Sequence, residues 1–187
     1  MPSADRVVVL VQLPIPPAGL VPVRHNIPLA AGYLKLLARR RGLEANYRIE
    51  LLPVPLTNAG GDQALVEAIL ARQPWMVGFT CYVWNIERTL WIAARLKHRR
   101  PDLKIVLGGP EITADNAWVL QSRAIDYAAI GEGEQTFSEL LGVLREHRLP
   151  PNPIAGLYVS PYAGIEREQA KQSQLKAAKI KLLSLRF

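Results

Sequence analysis

Five times along this chain an apolar run of strand length is followed by a stretch of helical period, and that alternation constrains the fold more than any other feature. The runs are Val7–Gln12 (VVVLVQ), Tyr47–Leu52, Met76–Thr80 (MVGFT), Lys104–Leu107 and Asp126–Ile130. Helical stretches follow at roughly Leu29–Arg41, Asp62–Arg72, Ile86–Arg99, Ala114–Gln121 and Glu134–His147. VVVLVQ shows no polar alternation, as expected of a strand buried on both faces. Repeated β–α units with right-handed crossovers predict an α/β, flavodoxin-like (Rossmann-like) doubly wound fold, with five parallel strands in the order 2-1-3-4-5. Asp62, Asn85 and Thr113 stand where helix caps are expected. Pro53 and Pro55 are read as ending the second strand.

Such sheets bind ligands outside the carboxyl ends of their strands, near the point where the winding reverses. The informative residues should therefore follow Gln12, Thr80, Leu107 and Ile130, and unusual compositions sit there. After the first strand come sixteen residues, LPIPPAGLVPVRHNIP, five of them proline, beginning with Pro14 and Pro16. That is long for a connection that ordinarily takes about two to six residues, and it suggests either a stiff wall for a ligand or an inserted surface loop. After the third strand, Cys81, Tyr82, Val83 and Trp84 precede Asn85, offering flat aromatic surfaces at a pocket mouth or ordinary packing at the core edge. Cys81 has no basic neighbour in sequence to activate it as a nucleophile.

After the fourth strand stand Gly108, Gly109, Pro110 and Glu111; after the fifth stand Gly131, Glu132, Gly133 and Glu134. The second group is no dinucleotide fingerprint, because it follows the last strand and has Thr136 where the final glycine would stand. A turn explains either glycine pair alone. Glycines on two neighbouring strand ends instead suggest a backbone-walled slot for a nucleotide-like group, with a phosphate near helix N-termini.

Taken together, VGFTCYVWNIE, IVLGGPEITA and DYAAIGEGEQTFSELL resemble the N-terminal cobalamin-binding domain of cobalamin-dependent radical S-adenosylmethionine (SAM) enzymes, over roughly residues 6–147. The resemblance implies a corrin ring held against the strand ends and a nucleotide tail in the slot. It implies that Gln12, Thr80, Cys81, Tyr82 and Asn85 belong to the binding region, with Thr80 and Tyr82 lining the tail pocket. Gly108 and Gly109, with Pro110 and Glu111, would let the backbone lie against the tail, and Gly131, Glu132 and Gly133 would close the other side. Trp84 and the proline loop, Pro14 included, would face the corrin. On this reading a valine at Gly109 fills the slot and leaves the fold intact.

Other cobalamin modules carry a DxHxxG loop whose histidine ligates cobalt. Here VRHNIP keeps His25 but has Val23 and Pro28 in place of the Asp and Gly, so His25 is read as a cobalt ligand or as a solvent-facing loop histidine. His98 and His147 are read as structural. The family's catalytic domain holds a [4Fe-4S] cluster through a CxxxCxxC arrangement, and this sequence has one cysteine. The resemblance thus implies a cobalamin-binding module of a methyltransferase-like enzyme, not catalytic alone. The cluster and SAM would be supplied by a radical SAM domain in cis or in trans. The alternative is a cofactor-free regulatory or interaction domain on the same scaffold. A receiver needs an Asp where Thr80 and Cys81 stand, and a flavodoxin needs a Ser/Thr-rich loop where the prolines stand.

Composition enters only to bound these readings. Of the net charge of +7, residues 166–187 carry +4: six Lys/Arg against Glu166 and Glu168. The other 165 residues carry only +3, with no basic stripe interleaved with aromatics, so a nucleic-acid partner is not expected. No apolar run reaches the ~18 residues of a membrane span, and VVVLVQ reads as a strand rather than a signal peptide. A lone cysteine makes the cytoplasm the expected location. The division expected is a binding domain at 1–148, then a linker and basic tail at 149–187. PPNPIAGLYVSPYAGI would be a linker ending in a short strand or hairpin, and Leu175, Ala178, Leu182 and Leu185 would mark an amphipathic helix.

Overall fold

The structure, a computed structural model, describes residues 6–16, 26–146 and 153–163. Strands β1 (Arg6–Gln12), β2 (Tyr47–Leu51), β3 (Met76–Thr80), β4 (Lys104–Gly108) and β5 (Tyr127–Ala129) are parallel, in the expected spatial order β2-β1-β3-β4-β5. A sixth strand, β6 (Leu157–Val159), adds antiparallel to β5, making a mixed six-stranded sheet where five parallel strands were expected. The stretch expected to be a linker ending in a short strand or hairpin thus supplies a strand that returns to the sheet. It is anchored by the buried Ile154, by Thr136 Oγ1 donating to Ala155 O (2.9 Å) and by Tyr158 OH donating to Leu120 O (3.0 Å).

The helices are α1 (Leu29–Arg40), α2 (Val54–Ala59), α3 (Asp62–Leu70), α4 (Ile86–Arg99), α5 (Ala117–Leu120) and α6 (Gly133–Glu146). Helix α2 was not expected. Pro53 precedes it and Pro55 lies in its first turn, where no intrahelical N–H is needed, so the two prolines that follow the end of β2 also initiate a helix. Helix α5 is shorter than its sequence pattern suggested, and Asn116 rather than Thr113 precedes it. Asp62 does not cap α3; it lies in the first turn and pairs with Arg88 at 2.6 Å.

Each face of the sheet buries its own core. Val9, Val11, Val77, Phe79, Ile105 and Leu107 face α3, α4 and α5. Val8, Leu10, Met76 and Val106 face α1 and α6, which also pack against each other. On the first face, Asp126 is buried. It accepts the Ile105 N–H at 2.7 Å and pairs with Lys97 at 2.6 Å, so the charge it takes into the core is met by a cation and a backbone donor. Trp75 lies between Arg6 and Lys104, with their cationic groups 4.8 and 4.9 Å from its ring centre. No helix among the described residues is long and apolar enough to cross a membrane.

Candidate functional site

Parallel register brings Gln12, Thr80 and Gly108 into one row at the carboxyl edge, and Leu10, Gly78 and Val106 into a row one pleat deeper. Both rows face α1 and α6. Above them the sheet residues are small, since Gly78, Thr80, Gly108 and Ala129 take the central positions. A cavity of about 580 Å³ opens there, roofed by the first two turns of α1 (Ala30, Ala31, Leu34) and α6 (Gly133, Glu134, Phe137). Later turns of the same helices close down on the sheet through Ala38, Leu141 and Leu144. The result is a slot open at the strand ends, within the range typical of small-ligand sites.

The glycines do different jobs. A Cβ on Gly108 would meet only Ala129 Cβ at 3.9 Å, so its side faces open slot. Gly109 has φ +109°, and a Cβ there would lie 2.5 Å from Cys81 O and 2.8 Å from Cys81 N. The expectation that a valine at Gly109 leaves the fold intact is therefore corrected: although Gly109 lines the slot, the direction of its missing side chain is filled by Cys81 backbone, and the glycine lets the loops after β3 and β4 touch. Cys81 N donates to Gly108 O (2.7 Å), and Glu111 N donates to Cys81 O (3.2 Å). Inside β3, Gly78 leaves space for Leu10, whose Cδ2 would lie 2.7 Å from a Cβ at that position.

Of the residues singled out from sequence, Thr80, Gly108, Gly109, Pro110, Gly131, Glu132 and Gly133 line the slot. Gln12, Pro14, Cys81, Tyr82, Trp84, Asn85 and Glu111 do not. Tyr82 does not join Thr80 in the slot; its ring stacks on Trp84, with centroids 4.6 Å apart and planes 6° from parallel. Cys81 is buried in the core on the opposite face of the sheet, where burial pushes its thiol pKa well up. Asn85 is a brace: its Oδ1 accepts from Tyr82 N (2.8 Å), and its Nδ2 donates to Leu13 O and Thr80 O (both 3.2 Å). Gln12 joins a second brace, donating to Asn26 Oδ1 (2.7 Å), while Asn26 donates to Gln12 O (3.0 Å) and Asn58 Oδ1 (3.1 Å). His25, His147, the middle of the proline loop and the basic tail lie outside the described residues. The described residues contain no cluster of three or more His, Cys, Asp or Glu able to hold a metal ion.

Sequence reasoning missed the inner lining: Leu10, Leu34, Val106 and Phe137. These read as ordinary core. One signal was available, a glycine in the middle of MVGFT, which marks close approach within a strand.

A family profile for the B12 binding domain matches residues 24–141. The cobalamin-dependent radical SAM methyltransferase TokK of Streptomyces tokunonensis is 31% identical over 124 residues, 65% of this chain and 18% of that protein. The 2-(S-pantetheinyl)-carbapenam-3-carboxylate methyltransferase of Streptantibioticus cattleyicolor is 31% identical over 117 residues, 62% of this chain and 16% of that protein. This chain thus spans less than a fifth of the length of these curated relatives. In fold it is similar to the cobalamin-dependent SAM radical enzyme OxsB with aqua-cobalamin and SAM bound (TM-score 0.63, 17% identity, 81% of this chain and 20% of that one). It is likewise similar to the radical SAM methyltransferase TsrM from Kitasatospora setae (TM-score 0.60, 21% identity, 82% and 28%). The slot at the winding reversal and the profile match over most of the chain agree, and the chain belongs to the B12-binding domain family.

Proposed function

We propose that this chain is the cobalamin-binding part of an enzyme of the cobalamin-dependent radical SAM methyltransferase kind. The slot takes the nucleotide arm of the cofactor, and the strand ends face the corrin ring. One observation carries this reading: Thr80, Gly108 and Ala129 put small residues at adjacent sheet positions under the first two turns of α1 and α6, leaving space at the strand ends that an ordinary core would fill. Thr80, Gly108 and the Gly131–Gly133 loop would hold the ribose–phosphate portion at the mouth. Exposed Ile15, Ile27, Val83 and Trp84, which follow β1 and β3, offer an apolar surface for the ring. When bound, cobalamin supplies a cobalt centre able to carry a methyl group; the chain's own residues bind and orient it.

The radical step belongs to a radical SAM domain supplied in cis or in trans, as the names of the relatives suggest, and the family resemblance assigns the [4Fe-4S] cluster to that domain. Because β6 pairs with β5, we extend the binding domain through Ala163.

The test is titration of the purified chain with hydroxocobalamin, followed by desalting and a visible spectrum. Retention of a stoichiometric amount is expected. Loss of all colour on desalting would favour the cofactor-free scaffold. In the reduced and alkylated forms, band positions would report whether a nitrogen such as His25 sits on cobalt.

A further inference from the structure

The slot changes from polar to apolar with depth, and the sheet register gives the order. Thr80 and Gly108 form the outer row; Leu10, Gly78 and Val106 form the inner one. On the helices the same step runs from Ala30 to Leu34 and from Glu134 to Phe137, one turn further in. The polar side chains that line the slot are Thr80, Thr113, Glu132 and Glu134, and each belongs to the outer level. At the inner level Leu10, Leu34, Val106 and Phe137 surround Gly78. Backbone groups of Leu10, Gly78 and Val106 are committed to the parallel ladder. Among the described residues, the inner end therefore offers a guest shape but no hydrogen bond.

We propose that the slot selects its corrinoid by the lower base, accepting apolar aryl bases of the benzimidazole or phenol class and disfavouring adenine-class purines. Leu34, Val106 and Phe137 are the specificity-determining residues. This inference rests on the cobalamin reading above. An exocyclic amine and additional ring nitrogens carried to the inner end lose their water and gain no partner, which is costly. The expected discrimination is roughly tenfold to hundredfold, because an apolar pocket rejects an added polar group only that strongly.

The experiment is equilibrium binding of the whole chain to four corrinoids: cobinamide, which has no nucleotide arm, hydroxocobalamin, p-cresolyl cobamide and adeninyl cobamide. The decisive pair is p-cresolyl against adeninyl. The first base does not coordinate cobalt and the second does so weakly, so little of their difference comes from detaching the base. The p-cresolyl form should bind at least about tenfold more tightly, and Val106→Thr should narrow that ratio several-fold. Adeninyl binding as tight as p-cresolyl, with cobinamide weaker than both, would overturn the selectivity and leave the slot reading standing. Cobinamide binding as tightly as all three others would overturn the slot reading itself, and the inference with it. An unchanged ratio in folded Val106→Thr would overturn the assignment of selectivity to the inner level; Leu34→Thr is the second variant if Val106→Thr does not fold.

Discussion

Gly109 and Cys81 touch backbone to backbone: a Cβ on Gly109 would stand 2.5 Å from the Cys81 carbonyl oxygen. With φ at +109°, the position resists any L side chain twice over, by conformation and by contact. Gly109→Ala should therefore destabilise the fold by about 2–4 kcal/mol, read as a lower urea midpoint. It should weaken corrinoid retention only as far as it unfolds the chain. A variant of unchanged stability would contradict this contact.

Gly108, one residue earlier, should behave in the opposite way. Its side faces the slot, and a Cβ there meets nothing closer than 3.9 Å. Gly108→Val is expected to keep its circular dichroism spectrum and urea midpoint near wild type while losing hydroxocobalamin binding by tenfold or more. The pair of variants separates a lining glycine pinned by backbone packing from one whose side faces open slot, a distinction that the string IVLGGPE does not contain.

Asn85 binds three backbone groups from the ends of β1 and β3 and the loop beyond. Truncation would leave Tyr82 N, Leu13 O and Thr80 O without that partner in a buried place. Asn85→Ala should cost about 2–3 kcal/mol and shift the amide resonances of Leu13 and Tyr82 together in a two-dimensional NMR spectrum. Shifts confined to helix α4 would mean that Asn85 merely starts the helix.

Burial raises the Cys81 thiol pKa. The sign follows from which state loses its proton first. An unfolded thiol ionises near about pH 8.5, whereas the buried one stays protonated, so stability is full below that point and falls as pH rises beyond it. The urea midpoint should decline between about pH 8 and pH 10, and Cys81→Ala should flatten that decline. Native protein should also resist thiol reagents that react at once in urea; rapid labelling of the folded chain would contradict the burial.

Legibility in the sequence followed the physics of each element. Continuous apolar runs such as VVVLVQ and MVGFT mark buried parallel strands, so β1 to β5 and their order were readable. A short strand or hairpin was expected within PPNPIAGLYVSPYAGI, where β6 lies, but its antiparallel pairing with β5 is a tertiary event that three half-buried residues do not signal. Helix α2 was hidden because a proline signals both an end and a beginning. In the site, Thr80, Gly108 and Gly131 were found through the rule that ligands meet strand ends. Leu34, Val106 and Phe137 were not, because periodicity reports that a side chain points inward but not that space remains in front of it. The family resemblance implied Tyr82 in the tail pocket and Asn85 in the binding region; their own contacts turn them toward Trp84 and toward the strand ends.

The most direct measurement is a crystal structure of the chain grown with hydroxocobalamin. The account predicts the lower base detached from cobalt and seated between α1 and α6, against Gly78 and Val106, with the corrin outside Thr80 and Gly108. Density for the nucleotide arm elsewhere on the surface, with Leu34 and Phe137 still facing an empty slot, would contradict it.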